Sequence, residues 1–355
     1  MTVYAKSNKE SLAEHTENAL RVFSSIKSFF PYIPSICGVG DFWKQLFTCL
    51  FFHDFGKAAT GFQQELLEGK RWNYRHEILS AGFALNLNLS QPYDMVVALA
   101  ILTHHHGCQF LGENYRTYGS IGGETGKKRW GEKVTEMKPN EPYLFALLNE
   151  LPNWSQQYLG ERLSLPENVI KIESCRDALE FCIRPLMNDG LSFPNKFYPI
   201  FLRGLTIACD HLASAAKDGI IISTSMGLRE LVKAGEIEEL KAFQRKALNL
   251  SSSAYLTAPT GTGKTAAALL WCQKNQDCGR RIFYVLPYTA SINAMQQRLQ
   301  NIFGEEEVGI LHHRANYFIY KSFLEMIDLH GQEVWLVKET ANTTKKIYRP
   351  IKVLT

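Results

Sequence analysis

Seven side chains in the first 210 residues of this 355-residue chain stand out as candidate ligands for divalent metals: His15, His53, Asp54, His76, His105, His106 and Asp210. At helical spacing His15 shares a face with Leu12, Ala19, Val22 and Ile26, His53 with Phe42, Leu46, Cys49 and Leu50, and His76 with Leu79, Phe83 and Leu87. Imidazoles on separate helices therefore point inward. Asp210 interrupts the apolar run LTIACDHLAS, where an unpaired buried carboxylate costs several kcal/mol. A lone buried histidine is ordinarily a hydrogen-bonded core residue. Several inward histidines, an adjacent His-Asp pair at a helix end and a distant inward aspartate instead suit ligands converging inside a helical bundle. Mixed nitrogen and carboxylate donors favour manganese, iron, cobalt, nickel or zinc over magnesium or calcium, and the two oxygens of Asp54 suit a bridge between two ions. Two ions roughly 3.5 to 4 Å apart clamp a phosphodiester and supply a hydroxide at neutral pH. Phosphodiester hydrolysis is the chemistry this set fits best, with His53 and Asp54 at its centre.

A second motif carries nucleotide chemistry. APTGTGKT at 258 to 265 fits a phosphate-binding loop, between a run AYLTA that reads as a strand and a run TAAALLWCQKN that reads as a helix. Pro259, Thr260, Gly261, Thr262 and Gly263 form the loop whose backbone N–H groups cradle phosphates. Lys264 is expected to reach the β- and γ-phosphates and Thr265 to hold magnesium. Ala258 stands where the textual pattern has its first glycine. GGETGKK at 122 to 128 imitates the motif but has Ile121 for the first glycine, Lys128 for Ser/Thr and no strand before it, and is rejected.

The elements that must position these groups are legible from periodicity. From Ser11 to about Ser214 apolar residues recur at helical spacing, which predicts an all-α domain over 1–216. Ser11 and Glu14 suit a capping box, Asp41 precedes the run FWKQLFTCLFFHD, and Pro92 opens a helix closed by Gly107. Between Gly107 and Asn140, seven glycines and six Lys/Arg against four Glu predict a long mobile loop. Arg116, Lys127, Lys128, Arg129 and Lys133, interleaved with Phe110, Tyr115, Tyr118 and Trp130, suit single-stranded nucleic acid. Residues 217–250 read as a linker, and 251–355 as alternating strands and helices of an incomplete α/β domain with a parallel sheet.

The net charge of +4 neither demands nor excludes a nucleic-acid partner. Eight scattered cysteines without a C-x-x-C pair indicate buried thiols in a reducing compartment. The polar N-terminus and the lack of an uncharged apolar run of about 18 residues predict a cytoplasmic protein with no membrane partner.

The order His15, HDFGK at 53 to 57, RHEILS at 75 to 80, HHG at 105 to 107 and Asp210 resembles the HD nuclease domain of the CRISPR-associated nuclease-helicases of type I systems, over about 200 residues. That resemblance implies one metal on His15, His53, Asp54 and Asp210, and a second on Asp54, His76, His105 and His106. It matches Lys57 to a lysine that steadies a phosphate or a carboxylate at the catalytic centre. The HHG register leaves His104 outside, since successive helical residues point about 100° apart and three in a row cannot share one pocket.

YVLPYTASINAM at 284 to 295 looks like the strand-turn-helix after the P-loop in superfamily 2 helicases, which implies Pro287, Tyr288 and Thr289 near a single-strand path. PIKVLT resembles the strand before the acidic magnesium-binding motif of such helicases. On that resemblance the chain is expected to be a truncated piece, holding the start of a RecA-like helicase domain and unable to turn over ATP alone. The HD pattern begins near residue 15, which leaves no room for a further N-terminal domain. The implied function is metal-dependent endo- and exonucleolytic cleavage of single-stranded DNA in CRISPR interference. In the intact protein it would be coupled to translocation driven by ATP with magnesium, with the crRNA-guided surveillance complex Cascade as recruiting partner. An HD phosphohydrolase of small nucleotides with a regulatory P-loop module is the second reading. A metal-stabilised but inert binding module, silenced by a partner or a protein inhibitor, is the third.

Overall fold

The computed structural model describes residues 2–87, 93–164, 171–185, 195–214, 228–233, 237–275, 281–305, 307–312 and 349–354. The protein is mainly helical with a small parallel sheet, and divides into two compact units, Met1–Gly219 and Ile220–Thr355.

The described helices of the first unit are α1 (Leu12–Phe29), α2 (Ile33–Cys37), α3 (Phe42–Phe52), α4 (Thr60–Glu68), α5 (His76–Ala84), α6 (Tyr93–Leu102), α7 (Cys108–Tyr115), α8 (Gly123–Thr135), α9 (Glu141–Asn149), α10 (Leu151–Trp154) and α11 (Phe197–Ser214). The capping box sets the start of α1: Ser11 Oγ accepts from Glu14 N at 3.2 Å and Glu14 Oε2 accepts from Ser11 N at 2.8 Å. α3 packs against α1, α5, α6 and α11, while α1 and α6 also meet α11. Phe23, Phe42, Phe47, Phe51, Phe52, Phe55 and Phe83 are fully buried between them. Each contributes about 1.5–3 kcal/mol of transfer free energy, which holds the helices carrying the polar site in register.

Residues 107–140, expected as a mobile loop, fold into α7, α8 and three short 3-10 turns. Tertiary partners override the weak helix propensity: Trp72 Nε1 donates to Glu136 Oε2 at 2.8 Å, and Thr60 N donates to Glu136 O at 2.9 Å. Glycine serves close packing there, since a Cβ at Gly126 would lie 2.2 Å from the Gly119 carbonyl oxygen. The rejected GGETGKK stretch falls largely on α8.

In the second unit α12 (Leu228–Lys233), α13 (Ala242–Asn249), α14 (Lys264–Asn275) and α15 (Thr289–Phe303) accompany strands β1 (Ile282–Val285), β2 (Val308–Leu311) and β3 (Ile351–Leu354). The strands run parallel in the order β1-β3-β2, with Ile351 facing both Ile282 and Val308. PIKVLT thus supplies the middle strand, and YVLPYTASINAM spans β1 and α15. The stretch expected as a linker carries α12 and α13, and its Leu231 is buried with Leu269, Leu270, Ile292 and Ile310; residues 217–227 and 234–236 lie outside the described residues. AYLTA, expected as a strand, is irregular, with Tyr255 fully exposed. A strand persists only where a neighbour takes its hydrogen bonds, and among the described residues none pairs with 254–258.

None of the described helices is long and apolar enough to cross a membrane. Seven described cysteines are free thiols.

Candidate metal centre and nucleotide loop

Three local features aim the histidines. His53 ends α3 and contacts the Leu50 carbonyl oxygen through Nδ1 at 2.7 Å; His104, just past the end of α6, contacts the Ile101 oxygen through Nδ1 at 2.6 Å. A carbonyl only accepts, so Nδ1 carries the proton and each neutral ring presents an Nε2 lone pair to the interior. His15 holds Glu10 Oε1 at 3.3 Å through Nδ1 and meets Asp210 Oδ1 at 3.1 Å through Nε2. All of these rings are buried.

Two groups result, each with ligand atoms close enough to share one ion: His15, His53 and Asp54, and His76, His104 and His105. Asp54 straddles them. Its Oδ2 lies 3.4 Å from both His15 Nε2 and His53 Nε2, while its Oδ1 lies 3.1 Å from His76 Nε2. Asp210 closes the first group, with Oδ1 3.9 Å from His53 Nε2. His53 Nε2, Asp54 Oδ1, His76 Nε2 and His104 Nε2 are buried without a hydrogen-bond partner. Orphaned donor atoms of this kind are costly unless something binds them, and neutral imidazoles with carboxylates are the donor set of a first-row transition metal. Lys57 Nζ reaches Asp54 Oδ2 at 2.6 Å and brings a fixed cation to the centre.

The backbone explains why HDFGK can meet α5. A Cβ at Gly56 would lie 2.0 Å from the His76 carbonyl oxygen, and Gly56 N donates to Ser80 Oγ at 2.8 Å. Only glycine lets the 3-10 turn Phe55–Ala58 press against the start of α5, which brings Asp54 to His76.

The electrostatics follow from burial and charge. Burial opposes ionisation of Asp54 and Asp210, but the adjacent His53, the Lys57 ammonium and the His76 hydrogen bond at Asp54, and the His15 hydrogen bond at Asp210, hold both carboxyls well below their ordinary range. Burial lowers His53, depresses His104 strongly and lowers His105 to about 4, so these rings are neutral and open to a metal at neutral pH. For His15 burial is outweighed by hydrogen bonds to Asp210 and Glu10, which raise it.

One expected ligand is displaced. His106 stacks on Phe110 with ring centroids 4.2 Å apart, while His104 takes a place in the second group beside His105. The register fails because α6 ends at Leu102: the three histidines occupy a bend, not a helix, so the 100° rule does not apply and adjacent residues face one pocket. Expected outcome: His104→Ala lowers bound metal to one equivalent per chain and His106→Ala leaves it unchanged, read by elemental analysis after metal loading.

Glu10 and Glu77 lie outside the sequence-predicted set. Glu77 is fully buried; Arg75 Nε donates to its Oε1 at 2.8 Å, and His76 Nδ1 lies 3.5 Å from its Oε2. Both carboxylates orient imidazoles, as outer ligands do around metal-binding histidines. The HE pair at 76–77 was the available signal. Burial raises both groups, but His15 and Lys6 at Glu10, and His76 and Arg75 at Glu77, outweigh it and bring each from 4.5 to about 2. A depressed carboxyl contributes stability above its unfolded pKa, lost as pH falls through its folded one. The metal-free protein should therefore lose thermal stability from about pH 4.5 toward 2, with a shallower Tm-versus-pH slope in Glu77→Gln.

In the second unit, Gly261 (φ 77°) and Gly263 (φ 95°) adopt left-handed conformations that favour glycine. Lys264 Nζ donates to the Ala258 and Pro259 carbonyls at 2.8 and 3.1 Å, and Thr262 Oγ1 to Pro259 O at 2.7 Å. Gln244 Nε2 on α13 donates to Gly263 O at 3.3 Å. Thr260 lies in the turn before Gly261 and Thr265 in the first turn of α14, which places the motif at a helix N-terminus. Thr289 opens α15 beside exposed Tyr288. Arg116, Lys127, Lys128 and Arg129 are exposed on the segment from α7 to α8.

A DEAD/DEAH box helicase family matches residues 241–323, the stretch that holds the loop 259–265. The chain is also similar to Cas3 nuclease/helicases. It is 28% identical over 308 residues to a CRISPR-associated nuclease/helicase Cas3 of Methanocaldococcus jannaschii, covering 78% of this chain and 40% of that protein. It is 25% identical over 311 residues to the CRISPR-associated nuclease/helicase Cas3 of Methanothermobacter thermautotrophicus, covering 74% and 35%. The chain thus spans less than half the length of these relatives. The crystal structure of T. fusca Cas3-ATP matches with a TM-score of 0.45 and 16% identity, covering 98% of this chain and 42% of that one.

Proposed function

We propose that the first unit is an HD-type two-metal nuclease domain cleaving single-stranded DNA, and that the second begins the ATP-driven helicase motor of a CRISPR type I interference protein. The observation that carries this reading is Asp54, whose two oxygens point one to each histidine group. Similarity to two Cas3 nuclease/helicases supports the choice of a DNA polymer over other phosphoesters.

In this reading His15, His53, Asp54 and Asp210 hold one ion, and Asp54, His76, His104 and His105 the other. Bound there, two divalent transition-metal ions supply a nucleophile at neutral pH and neutralise charge on the phosphorus oxygens. The protein keeps His53, His104 and His105 neutral, fixes the tautomers of His53 and His104 through the Leu50 and Ile101 carbonyls, and holds Lys57 against Asp54, where its ammonium can shift toward a scissile phosphate. The loop 259–265 binds ATP with magnesium when the motor is whole. Cascade recruits the intact protein to its target, in a cytoplasmic setting.

The test is a substrate panel: single-stranded DNA, deoxynucleoside triphosphates and cyclic nucleotides, each with manganese, cobalt, nickel or zinc, for wild type and Asp54→Ala. Single-strand cleavage abolished by the substitution is the expected result. Hydrolysis confined to small nucleotides would assign the site to a mononucleotide phosphohydrolase, and inactivity with every metal would make it a silent binding module.

A further inference from the structure

The ring displaced from the metal groups begins a second feature. His106 turns away from His105 and lies nearly parallel to Phe110, at 4.2 Å between centroids and 22° between planes. Phe110 is 41% exposed, so the pair offers an aromatic face to solvent instead of filling a core. From Phe110 the rings continue to Tyr115 at 6.3 Å and on to Tyr118 at 6.4 Å, and the buried Tyr74 backs both tyrosines at 6.1 and 5.2 Å. At the inner end, the His105 ring is 5.1 Å from His76. The row His106, Phe110, Tyr115 and Tyr118 thus starts at the residue that follows the second histidine group in the chain.

Cations accompany it. The Arg129 guanidinium lies 5.8 Å from the Tyr118 ring centre, and the charges of Arg75 and Arg71 reach the Tyr115 phenol. One exposed ring and three partly exposed ones, with guanidinium groups beside them, suit bases stacking on one side and phosphates passing on the other. Only an unpaired base offers both faces to such a row, because in a duplex each is covered by its neighbours.

We propose that His106, Phe110, Tyr115 and Tyr118 form a base-stacking track that seats the unpaired nucleotides of a single strand next to the metal groups. This rests on the nuclease reading for its substrate, but assigns the strand's path and explains why that site would choose single strands over duplex. Stacking is tolerant of sequence, so the track holds any base at its first step and adds affinity, not base specificity.

The test uses the full 355-residue chain and a short oligodeoxynucleotide carrying 2-aminopurine, with binding measured without metal and cleavage measured with manganese. Phe110→Leu, which keeps apolar volume and removes the ring, is expected to weaken strand binding on the order of 10-fold and to raise KM with kcat little changed. The 2-aminopurine quenching on binding should fall with it, and Phe110→Trp should restore both. An oligonucleotide made of abasic sites should bind wild type and Phe110→Leu alike, since one side of the stack is already missing. Equal affinity, KM and quenching in wild type and Phe110→Leu would overturn the track, as would an equal loss on the abasic strand. Because binding is read without metal, a chain that neither binds metal nor cleaves DNA, yet loses strand affinity in Phe110→Leu, refutes the nuclease reading and keeps the track.

Discussion

Asp54→Ala is expected to lose both metals at once and to reduce cleavage further than any other single substitution in the site. The reason is geometric: one carboxylate serves two groups, with Oδ2 toward His15 and His53 and Oδ1 toward His76. Removing an outer-shell partner of a metal site costs about 10- to 100-fold in affinity or activity, and removing a shared inner carboxylate should exceed that range. The substitution also strands Lys57, a buried ammonium whose carboxylate contact at 2.6 Å disappears. Asp54→Asn keeps the shape but not the charge, and should fold better than the alanine variant while binding little metal. Elemental analysis of both variants beside cleavage rates checks this; an Asp54→Asn protein retaining two ions and wild-type turnover would refute the bridging role.

Gly56→Ala should be nearly as damaging although it touches no ligand. The added methyl would lie 2.0 Å from the His76 carbonyl oxygen and 2.8 Å from its carbonyl carbon, both backbone atoms that cannot swing aside. Overpacking of this kind costs about 1–3 kcal/mol and sometimes more, or about 2–4 °C in Tm per kcal/mol for a unit of this size. Relief requires the Phe55–Ala58 turn to separate from α5, which draws Asp54 away from His76. The variant should therefore show a lowered Tm and a selective loss of the second metal. Circular dichroism melting and metal titration together separate this from simple unfolding: a stable variant with two metals contradicts the packing account.

What the sequence disclosed, and what it hid, follows from the range of the interactions. The Ser11–Glu14 box, the inward faces of His15, His53 and His76 and the glycines of the P-loop are local, and periodicity and spacing display them. His104 was hidden because α6 stops at Leu102, a boundary set by tertiary packing, so a helical register was applied to residues in a bend. The segment from Gly107 to Asn140 looked like a loop by composition, yet Glu136 ties its end to Trp72 and Thr60, residues more than 60 positions away. Glu10 and Glu77 orient ligands without being ligands, and carboxylates beside histidines are common enough that spacing gives little warning. AYLTA has the composition of a strand but no described neighbour to pair with it, and composition cannot supply a partner.

The most direct test of the two-metal centre is manganese titration of the metal-free chain followed by electron paramagnetic resonance. A pair bridged by Asp54 should bind as two equivalents and give the spectrum of exchange-coupled ions, with hyperfine spacing half that of an isolated ion, collapsing in His104→Ala to the isolated form. A single equivalent in wild type, or two ions with uncoupled spectra, would contradict the shared-carboxylate centre.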